Sequence, residues 1–176
     1  AKLKGQIRIS GSKNASLPIL AATLLSNKKI SLTNLPRVKD VETMIKLLES
    51  MGSKVKVSKN KNTLVIKNDK KIKTEASYNL MSTMRAGIIV LGPLLARFGK
   101  ARVSSPGGCN IGFRPIDIHL EALKKMGVKY KIIDGYINAN AKNGLVGAKI
   151  KFPKISVGAT ENLMIAACLA KGQTVL

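Results

Sequence analysis

The chain has 176 residues, 45% of them hydrophobic, which is enough to bury one substantial core. This composition excludes a disordered tail and a disulfide-stapled miniprotein. Cys109 and Cys168 lie far apart without metal-ligand spacing, so we expect reduced thiols and a cytoplasmic protein. No stretch reaches the roughly 18 apolar residues that a membrane span needs, and the opening residues do not resemble a signal peptide.

The chain carries 31 lysines and arginines against 9 aspartates and glutamates, a net charge of +22. Such an excess raises the hypothesis of nucleic-acid binding. The cations are mostly lysines spread along the whole chain, however, and three Phe and three Tyr offer few rings for stacking bases. A solvated, lysine-rich surface is the preferred interpretation, and a non-catalytic RNA-binding α/β module stays open as the alternative.

The first part of the chain alternates between strand and helix patterns. A run of apolar residues at helical spacing ends at Gly52, a typical helix stop. The predicted elements, in chain order, are strand, helix, strand, helix, strand and strand at 7–10, 16–25, 29–35, 41–51, 54–57 and 63–66. The order is βαβαββ.

The same order recurs in the rest of the chain, and residues 47–57 align with residues 122–132 across a helix end, a glycine and a strand. The second copy is predicted as helix, strand, helix, strand and strand at 84–96, 101–104, 116–126, 128–132 and 136–139. A third copy begins with a strand at 149–152 and a helix at 159–170, and stops at 174–176. We therefore expect two complete units, a truncated third, and a longer parent protein.

Two helix entrances suit an anion. Residues 11–14 (GSKN) form a small turn into a helix, where free backbone N–H groups and Lys13 favour phosphate; helix capping alone by Ser12 or Asn14 is the alternative. Residues 153–162 occupy the same place in the third unit and supply Ser156 and Thr160 for capping or ligand contact. If these helix entrances lie close together at one opening, they would together bind a ligand with several negative charges.

The loop at 105–112 places Cys109 among three glycines and a proline, so an accessible thiol is expected, whereas Cys168 fits the apolar stripe of a core helix. Arg114 lies where it can stabilise a Cys109 thiolate or bind a phosphate, which makes Cys109 a candidate acid or nucleophile; an incidental Cys in a turn is the alternative. Arg85 borders an apolar helix and must bind an anion or form an ion pair.

His119, the only histidine, is more often structural than catalytic in such a setting. No Walker loop, dinucleotide fingerprint, His-Glu-x-x-His or zinc cysteine pair is present, so neither metal nor cofactor is indicated.

Six segments, taken in order, resemble the enolpyruvyl transferase family, and within it the UDP-N-acetylglucosamine 1-carboxyvinyltransferases. They are GSKNASLPIL at 11–20, TMRA at 83–86, LGPLLARFG at 91–99, PGGCNIG at 106–112, RPIDIH at 114–119 and SVGAT at 156–160. The resemblance implies two domains, each an inside-out α/β barrel of βαβαββ units. Residues 1–12 would then be an opening strand near the domain crossover, residues 13–176 an incomplete first domain that binds the UDP-sugar, and the second domain would be absent.

The resemblance also implies transfer of the enolpyruvyl group of phosphoenolpyruvate to the 3'-hydroxyl of UDP-N-acetylglucosamine, the first committed step of peptidoglycan precursor synthesis. Its sister enzyme, 3-phosphoshikimate 1-carboxyvinyltransferase, is the nearest rival. The fragment alone would be inactive, because half of the cleft is missing.

Site roles follow from the same resemblance. Lys13 and Asn14 would hold phosphoenolpyruvate, and Arg114 would share its phosphate. Cys109 would protonate the enolpyruvyl methylene and be alkylated by fosfomycin, so sensitivity to that drug is expected. The remaining nucleotide-sugar contacts would be Arg85, Pro115, Ile116, Asp117, Ile118, Lys154, Ile155, Ser156 and Val157.

Overall fold

The computed structural model describes residues 2–58, 63–69, 71–105 and 116–176, apart from the side chain of Arg85. The helices are α1 (Lys13–Ala22), α2 (Lys39–Ser50), α3 (Tyr78–Met81), α4 (Leu91–Phe98), α5 (Asp117–Lys125) and α6 (Val157–Ala167). The strands are β1 (Lys29–Thr33), β2 (Lys54–Val57), β3 (Thr63–Lys67), β4 (Glu75–Ala76), β5 (Lys100–Ser104), β6 (Lys129–Ile133) and β7 (Tyr136–Asn140). Short 3-10 helices span Thr23–Leu25 and Arg85–Val90.

The sheet topology confirms the α/β class and the internal repeat. One sheet has the order β1-β3-β2 and the other β4-β5-β7-β6. In both sheets the last strand of the unit pairs antiparallel with its two neighbours, and β4 lies parallel to β5 at the start of the second unit. The described residues thus form two open sheets and no closed barrel.

The aligned helix ends adopt the same conformation in both units. Gly52 and Gly127 have φ of +101° and +92°, a region that side-chain-bearing residues rarely adopt, and each follows a fully buried methionine, Met51 or Met126. The predicted helix stops at these positions are confirmed.

The third unit starts as the second one does. Two parallel bridges, Val146 with Lys171 and Lys149 with Val175, flank α6. The predicted helix at 159–170 is confirmed as α6, although it begins two residues earlier and ends at Ala167. The predicted strand at 149–152 is present only as the bridge at Lys149, since the described residues supply no continuous partner there.

Helices from all three units share one core. Helix α4 packs against α6, α5 packs against α6, and the 3-10 helix Arg85–Val90 contacts both α1 and α6. Fully buried leucines and methionines fill the spaces between them: Leu20, Leu24, Met44, Leu47, Met81, Leu91, Leu94 and Leu123. The entrances of α5 and α6 are therefore held by the same packed layer.

Arg97 connects the second unit to the first. It lies in the last turn of α4, and its guanidinium donates to the carbonyl oxygens of Leu24 (2.7 Å), Ser26 (3.0 Å) and Asn68 (3.3 Å). A guanidinium has five N–H donors in a planar fork, so one side chain satisfies three carbonyls of the neighbouring unit.

The predicted opening strand at 7–10 is wrong. Residues 2–10 have no regular secondary structure, and Ile7 and Ile9 are exposed. A strand requires a partner for its backbone groups, and no described strand pairs with this segment. The described first unit is therefore αβαββ.

The predicted helix at 84–96 is interrupted. The chain forms the 3-10 helix Arg85–Val90 and then α4, which begins at Leu91. Pro93 explains the break, because proline lacks the N–H that a continuous helix would donate to Ile89 and its ring clashes with that carbonyl. As the third residue of α4, Pro93 occupies a position where no intrahelical donor is needed.

Candidate functional site

Two adjoining depressions meet along residues 150–154, and we call them together the 150–154 groove. One has a volume of about 590 Å³ and the other about 390 Å³. The larger is lined by Ile150, Lys151, Phe152, Pro153, Lys154, Ile155, Ser156, Thr160 and Leu176. The smaller shares the first five of these and adds Asp117, Ile118, Glu121, Ala122 and Lys125 of α5.

The groove brings together predicted site residues that are distant in sequence. Asp117 and Ile118, in the first turn of α5, line the same depression as Lys154. Lys154 also lines the larger depression with Ile155 and Ser156. The groove therefore contains residues of two predicted contact segments, one at the start of α5 and one just before α6.

The entrance of α6 is capped as predicted. Ser156 is the N-cap residue, its hydroxyl accepts from the Ala159 N–H (3.3 Å), and the Thr160 hydroxyl donates to the Ser156 carbonyl (2.9 Å). The same arrangement recurs at α1, where Ser12 accepts from Ala15 (3.3 Å) and Ser16 donates to Ser12 (2.7 Å). The repeat therefore extends to the hydrogen bonds of its helix entrances.

The residues beside Ser156 leave apolar surface uncovered. Ile155 is 98% exposed and Val157, the first residue of α6, is 70% exposed. Branched apolar side chains at this exposure are typical of a surface that another group covers. Ile116, by contrast, packs against the core immediately before α5.

Lys13 and Asn14 lie at the other serine-capped entrance, on the first turn of α1. The Lys13 ammonium forms an ion pair with Asp40 of α2 at 3.0 Å, and Asn14 is exposed. Neither residue lines the 150–154 groove. The described residues therefore contain two separate polar regions, one at each entrance.

The groove has both signs of charge. Lys125, Lys151 and Lys154 face it together with Asp117 and Glu121. Glu121 is engaged by the Tyr130 hydroxyl, which donates to it at 2.9 Å. This hydrogen bond to the carboxylate raises the pKa of Tyr130, with a smaller contribution from burial.

His119 is structural, as the sequence indicated. It is buried on α5, where desolvation lowers the pKa of its imidazole from 6.5 to about 4. Its Nδ1 lies 3.1 Å from the Asn162 Nδ2, and the Asn162 Oδ1 accepts from the Gly92 N–H at 2.8 Å. Because that Oδ1 is an acceptor, Nδ2 donates to His119, and the neutral ring carries its proton on Nε2.

Four of the predicted site features fall outside the described part of the chain. They are Cys109, Arg114, Pro115 and the side chain of Arg85. Their roles stay predictions. The prediction that Cys168 lies in the core is wrong: α6 ends at Ala167, and Cys168 is an exposed C-cap residue whose thiol donates to the Met164 carbonyl at 3.3 Å.

No metal or membrane feature emerges within the described ranges. No group of at least three His, Cys, Asp or Glu residues there is arranged to hold a metal ion. No helix in those ranges is both long and apolar enough to cross a bilayer.

A sequence model of the EPSP synthase (3-phosphoshikimate 1-carboxyvinyltransferase) family matches residues 1–176. The chain belongs to the EPSP synthase family. Within this family, it is 76% identical over 176 residues to a UDP-N-acetylglucosamine 1-carboxyvinyltransferase of Pelagibacter ubique, covering 100% of the chain and 42% of that protein. It is 54% identical over 176 residues to the same-named protein of a Sulfurovum species, covering 99% of the chain and 41% of that protein.

Solved structures of EPSP synthase family members support the fold. The enolpyruvyl transferase NikO from Streptomyces tendae matches with a TM-score of 0.80 at 18% identity, over 98% of this chain and 40% of that one. An EPSP synthase from Acinetobacter baumannii matches with a TM-score of 0.73 at 16% identity, over 97% of this chain and 39% of that one. The chain spans about two fifths of the length of its curated relatives.

Sequence reasoning missed two residues of this family member, Asp40 and Asn162. Asp40 lies in the first turn of α2, where an acidic residue is favoured by the helix dipole, and nothing in the local pattern points to its partner 27 residues away. Asn162 interrupts an apolar stretch of α6. A buried amide in an apolar helix requires partners, and that interruption was the available sequence signal.

Proposed function

We propose that the chain is part of an enzyme that transfers the enolpyruvyl group of phosphoenolpyruvate to the 3'-hydroxyl of UDP-N-acetylglucosamine and releases phosphate. The observation that carries this proposal is the 76% identity, over all 176 residues, to a protein named for that reaction. The chain covers only 42% of that protein, so residues beyond this chain would form the second half of the cleft.

The 150–154 groove is the proposed acceptor site. Lys154 and the N–H groups at the α6 entrance supply positive charge for a diphosphate, and Ile155 supplies apolar surface for a base or sugar face, with Val157 exposed beside the groove. Asp117 and Ile118 close the other wall. The proposed contacts with Arg85, Arg114, Pro115 and Ile116 follow from the sequence motif.

The α1 entrance is the proposed donor site. Lys13 would bind the phosphate of phosphoenolpyruvate by a charge-assisted hydrogen bond, with Asn14 beside it. Asp40 holds the ammonium of Lys13 at this entrance.

The proposed reaction is an addition followed by an elimination. The acceptor hydroxyl adds to C2 of phosphoenolpyruvate, Cys109 gives a proton to C3, and a general base beyond this chain takes the hydroxyl proton, which forms a tetrahedral intermediate. Loss of a proton from C3 and departure of phosphate from C2 then restore the double bond on the new ether. General acid catalysis at carbon requires a correctly placed acid, and Cys109 is the candidate.

The test is phosphate release by the full-length protein that contains this chain. With phosphoenolpyruvate present, we expect release to depend on UDP-N-acetylglucosamine and not on shikimate 3-phosphate. Mass spectrometry of the nucleotide product would show the added enolpyruvyl group. Turnover with shikimate 3-phosphate alone would assign the protein to the sister reaction instead.

The reaction belongs to peptidoglycan precursor synthesis, so the proposed location of the enzyme is the cytoplasm.

A salt titration of RNA binding tests the non-catalytic alternative. Strong, salt-sensitive binding of generic RNA, with no binding of the nucleotide sugar, would replace the enzymatic proposal.

A further inference from the structure

We infer that Asn162 and His119 are positioning residues for the acceptor site, an inference that rests on the proposed function. Neither side chain lines the 150–154 groove. Asn162 is fully buried and His119 is buried, so both act through the elements that carry groove residues.

The two residues lie on the two helices that border the groove. His119 follows Asp117 and Ile118 on α5, and the segment 150–156 leads directly into α6, which carries Asn162. The 3.1 Å contact between the Asn162 Nδ2 and the His119 Nδ1 therefore links α5, one wall of the groove, to α6, the helix that follows segment 150–156.

Asn162 also anchors this link to the core. Its Oδ1 accepts from the N–H of Gly92, the second residue of α4, where the first turn of a helix leaves N–H groups without an intrahelical acceptor. A Cβ on Gly92 would lie 2.5 Å from the Asn162 carbonyl oxygen, so α4 and α6 approach as closely as glycine permits. One amide thus fixes three helices.

His119 also packs in ordinary van der Waals contact with the start of α6. A Cβ on Gly158 would lie 3.7 Å from the His119 Cε1, which places the imidazole against the first turn of α6. Loss of the hydrogen bond would let α5 and the α6 entrance move relative to each other. Asp117 and Lys154 would then no longer be held at their present separation across the groove.

The experiment compares two fully buried asparagines in the full-length enzyme. Asn162→Leu removes the link at the groove. Asn68→Leu is the matched control, because Asn68 also makes two buried hydrogen bonds, to the Thr23 carbonyl and from the Ser53 hydroxyl, both 2.6 Å long and both in the first unit. The readout is the split between KM and kcat for each substrate.

We expect Asn162→Leu to raise the KM for the acceptor by roughly tenfold, with kcat and the KM for phosphoenolpyruvate within about twofold of wild type. Asn68→Leu should lower the melting temperature and leave both KM values unchanged. An unchanged acceptor KM in Asn162→Leu, or an equal rise in Asn68→Leu, would overturn the inference.

A second pair of variants, at His119, tests the inference if Asn162→Leu does not fold. His119→Asn places an amide oxygen where the Nδ1 acceptor lies and should keep the wild-type acceptor KM, whereas His119→Leu should raise it. Equal KM values for the two variants would reject the positioning role. If wild-type enzyme uses shikimate 3-phosphate, the proposed function fails, and the same comparison with that acceptor still tests the link.

Discussion

The ion pair between Lys13 and Asp40 orients the Lys13 ammonium and adds little stability. Their side chains are 48% and 39% exposed, and such solvent-accessible pairs contribute about 0–1 kcal/mol to stability. The pair nevertheless holds the ammonium at the entrance of α1, beside the amide groups that the Ser12 cap leaves free.

Replacing Lys13 by alanine should weaken the use of phosphoenolpyruvate. A charge-assisted hydrogen bond contributes about 1.5–3 kcal/mol, so the KM for phosphoenolpyruvate in the full-length enzyme should rise by roughly 10-fold to 100-fold. Steady-state kinetics measure this change, and Lys142→Ala, an exposed lysine far along the chain, is the control. Normal phosphoenolpyruvate kinetics in Lys13→Ala would remove Lys13 from the donor site.

The two cysteines offer a matched test of the catalytic acid. Cys109→Ala in the full-length enzyme should lower turnover by roughly 100-fold or more, the usual contribution of a general acid, and leave binding of the nucleotide sugar intact. Cys168→Ala should retain turnover, because Cys168 only caps the end of α6. Fosfomycin should inactivate wild type and Cys168→Ala by alkylation; full activity of Cys109→Ala would exclude the thiol from the mechanism.

His119 makes stability depend on pH. Its pKa falls from 6.5 to about 4 on folding, so between these values the unfolded chain binds more protons than the folded one. Stability is therefore complete above pH 6.5 and decreases as the pH falls toward 4, by up to about 3 kcal/mol.

Urea unfolding of the full-length protein between pH 7 and 4 measures this loss. The difference between wild type and His119→Asn isolates it from the carboxylates, which titrate in the same range. The labelled imidazole signal that is present in wild type and absent from His119→Asn also reports the pKa of His119 directly. Parallel pH curves for the two proteins would contradict the assignment.

At the scale of elements, the close approach of α4 and α6 makes Gly92 the least replaceable glycine of the helical layer. Gly92→Ala adds a Cβ 2.5 Å from the Asn162 carbonyl oxygen, and neither backbone can move without displacing the core. We expect a loss of about 2 kcal/mol or more in the free energy of unfolding, although alanine is otherwise the better helix former.

Gly144→Ala is the comparison for that prediction. Gly144 has φ of +78° with nothing near its Cβ position, so alanine there costs only backbone strain of about 1–2 kcal/mol. Chemical denaturation of the two variants measures the difference. A milder effect at Gly92 than at Gly144 would mean that the two helices separate easily.

Sequence patterns predicted those elements whose cause is local. Gly52 and Gly127 end their helices because each needs a positive φ, and the alternation in β3 and β7 reflects one buried face. The opening strand at 7–10 failed because pairing is a property of two segments. The alternation of Ile7 and Ile9 does not reveal whether a partner is present.

The site was predictable to a similar degree. Repetition of helix entrances predicted that they all meet at one opening; among the described residues, the groove joins Asp117 with Lys154 but does not include Lys13. The partnership of Asp40 with Lys13, and that of Asn162 with His119, depends on how distant helices pack, which periodicity in one segment does not contain.

At the scale of the whole molecule, the chain corresponds to 42% of the length of its Pelagibacter relative. Ile155, which lines the 150–154 groove, is 98% exposed, whereas the proposed chemistry requires a closed, water-poor site. On the proposed function, residues beyond this chain complete the site.

The chain expressed alone should release no phosphate from phosphoenolpyruvate and UDP-N-acetylglucosamine, whereas the full-length protein should do so under the same conditions. The phosphate assay checks both, with circular dichroism to establish that the isolated chain is folded. Turnover by a folded isolated chain would mean that the described half contains the entire catalytic apparatus.

Arg97 has a consequence for anyone who would use one repeat as a minimal scaffold. Its guanidinium belongs to the second unit and its three carbonyl acceptors to the first. Excising either unit would leave the guanidinium without these acceptors on one fragment and the three carbonyl oxygens without this donor on the other. A shuffled or permuted variant of this protein must therefore keep Arg97 and its three acceptors in one molecule.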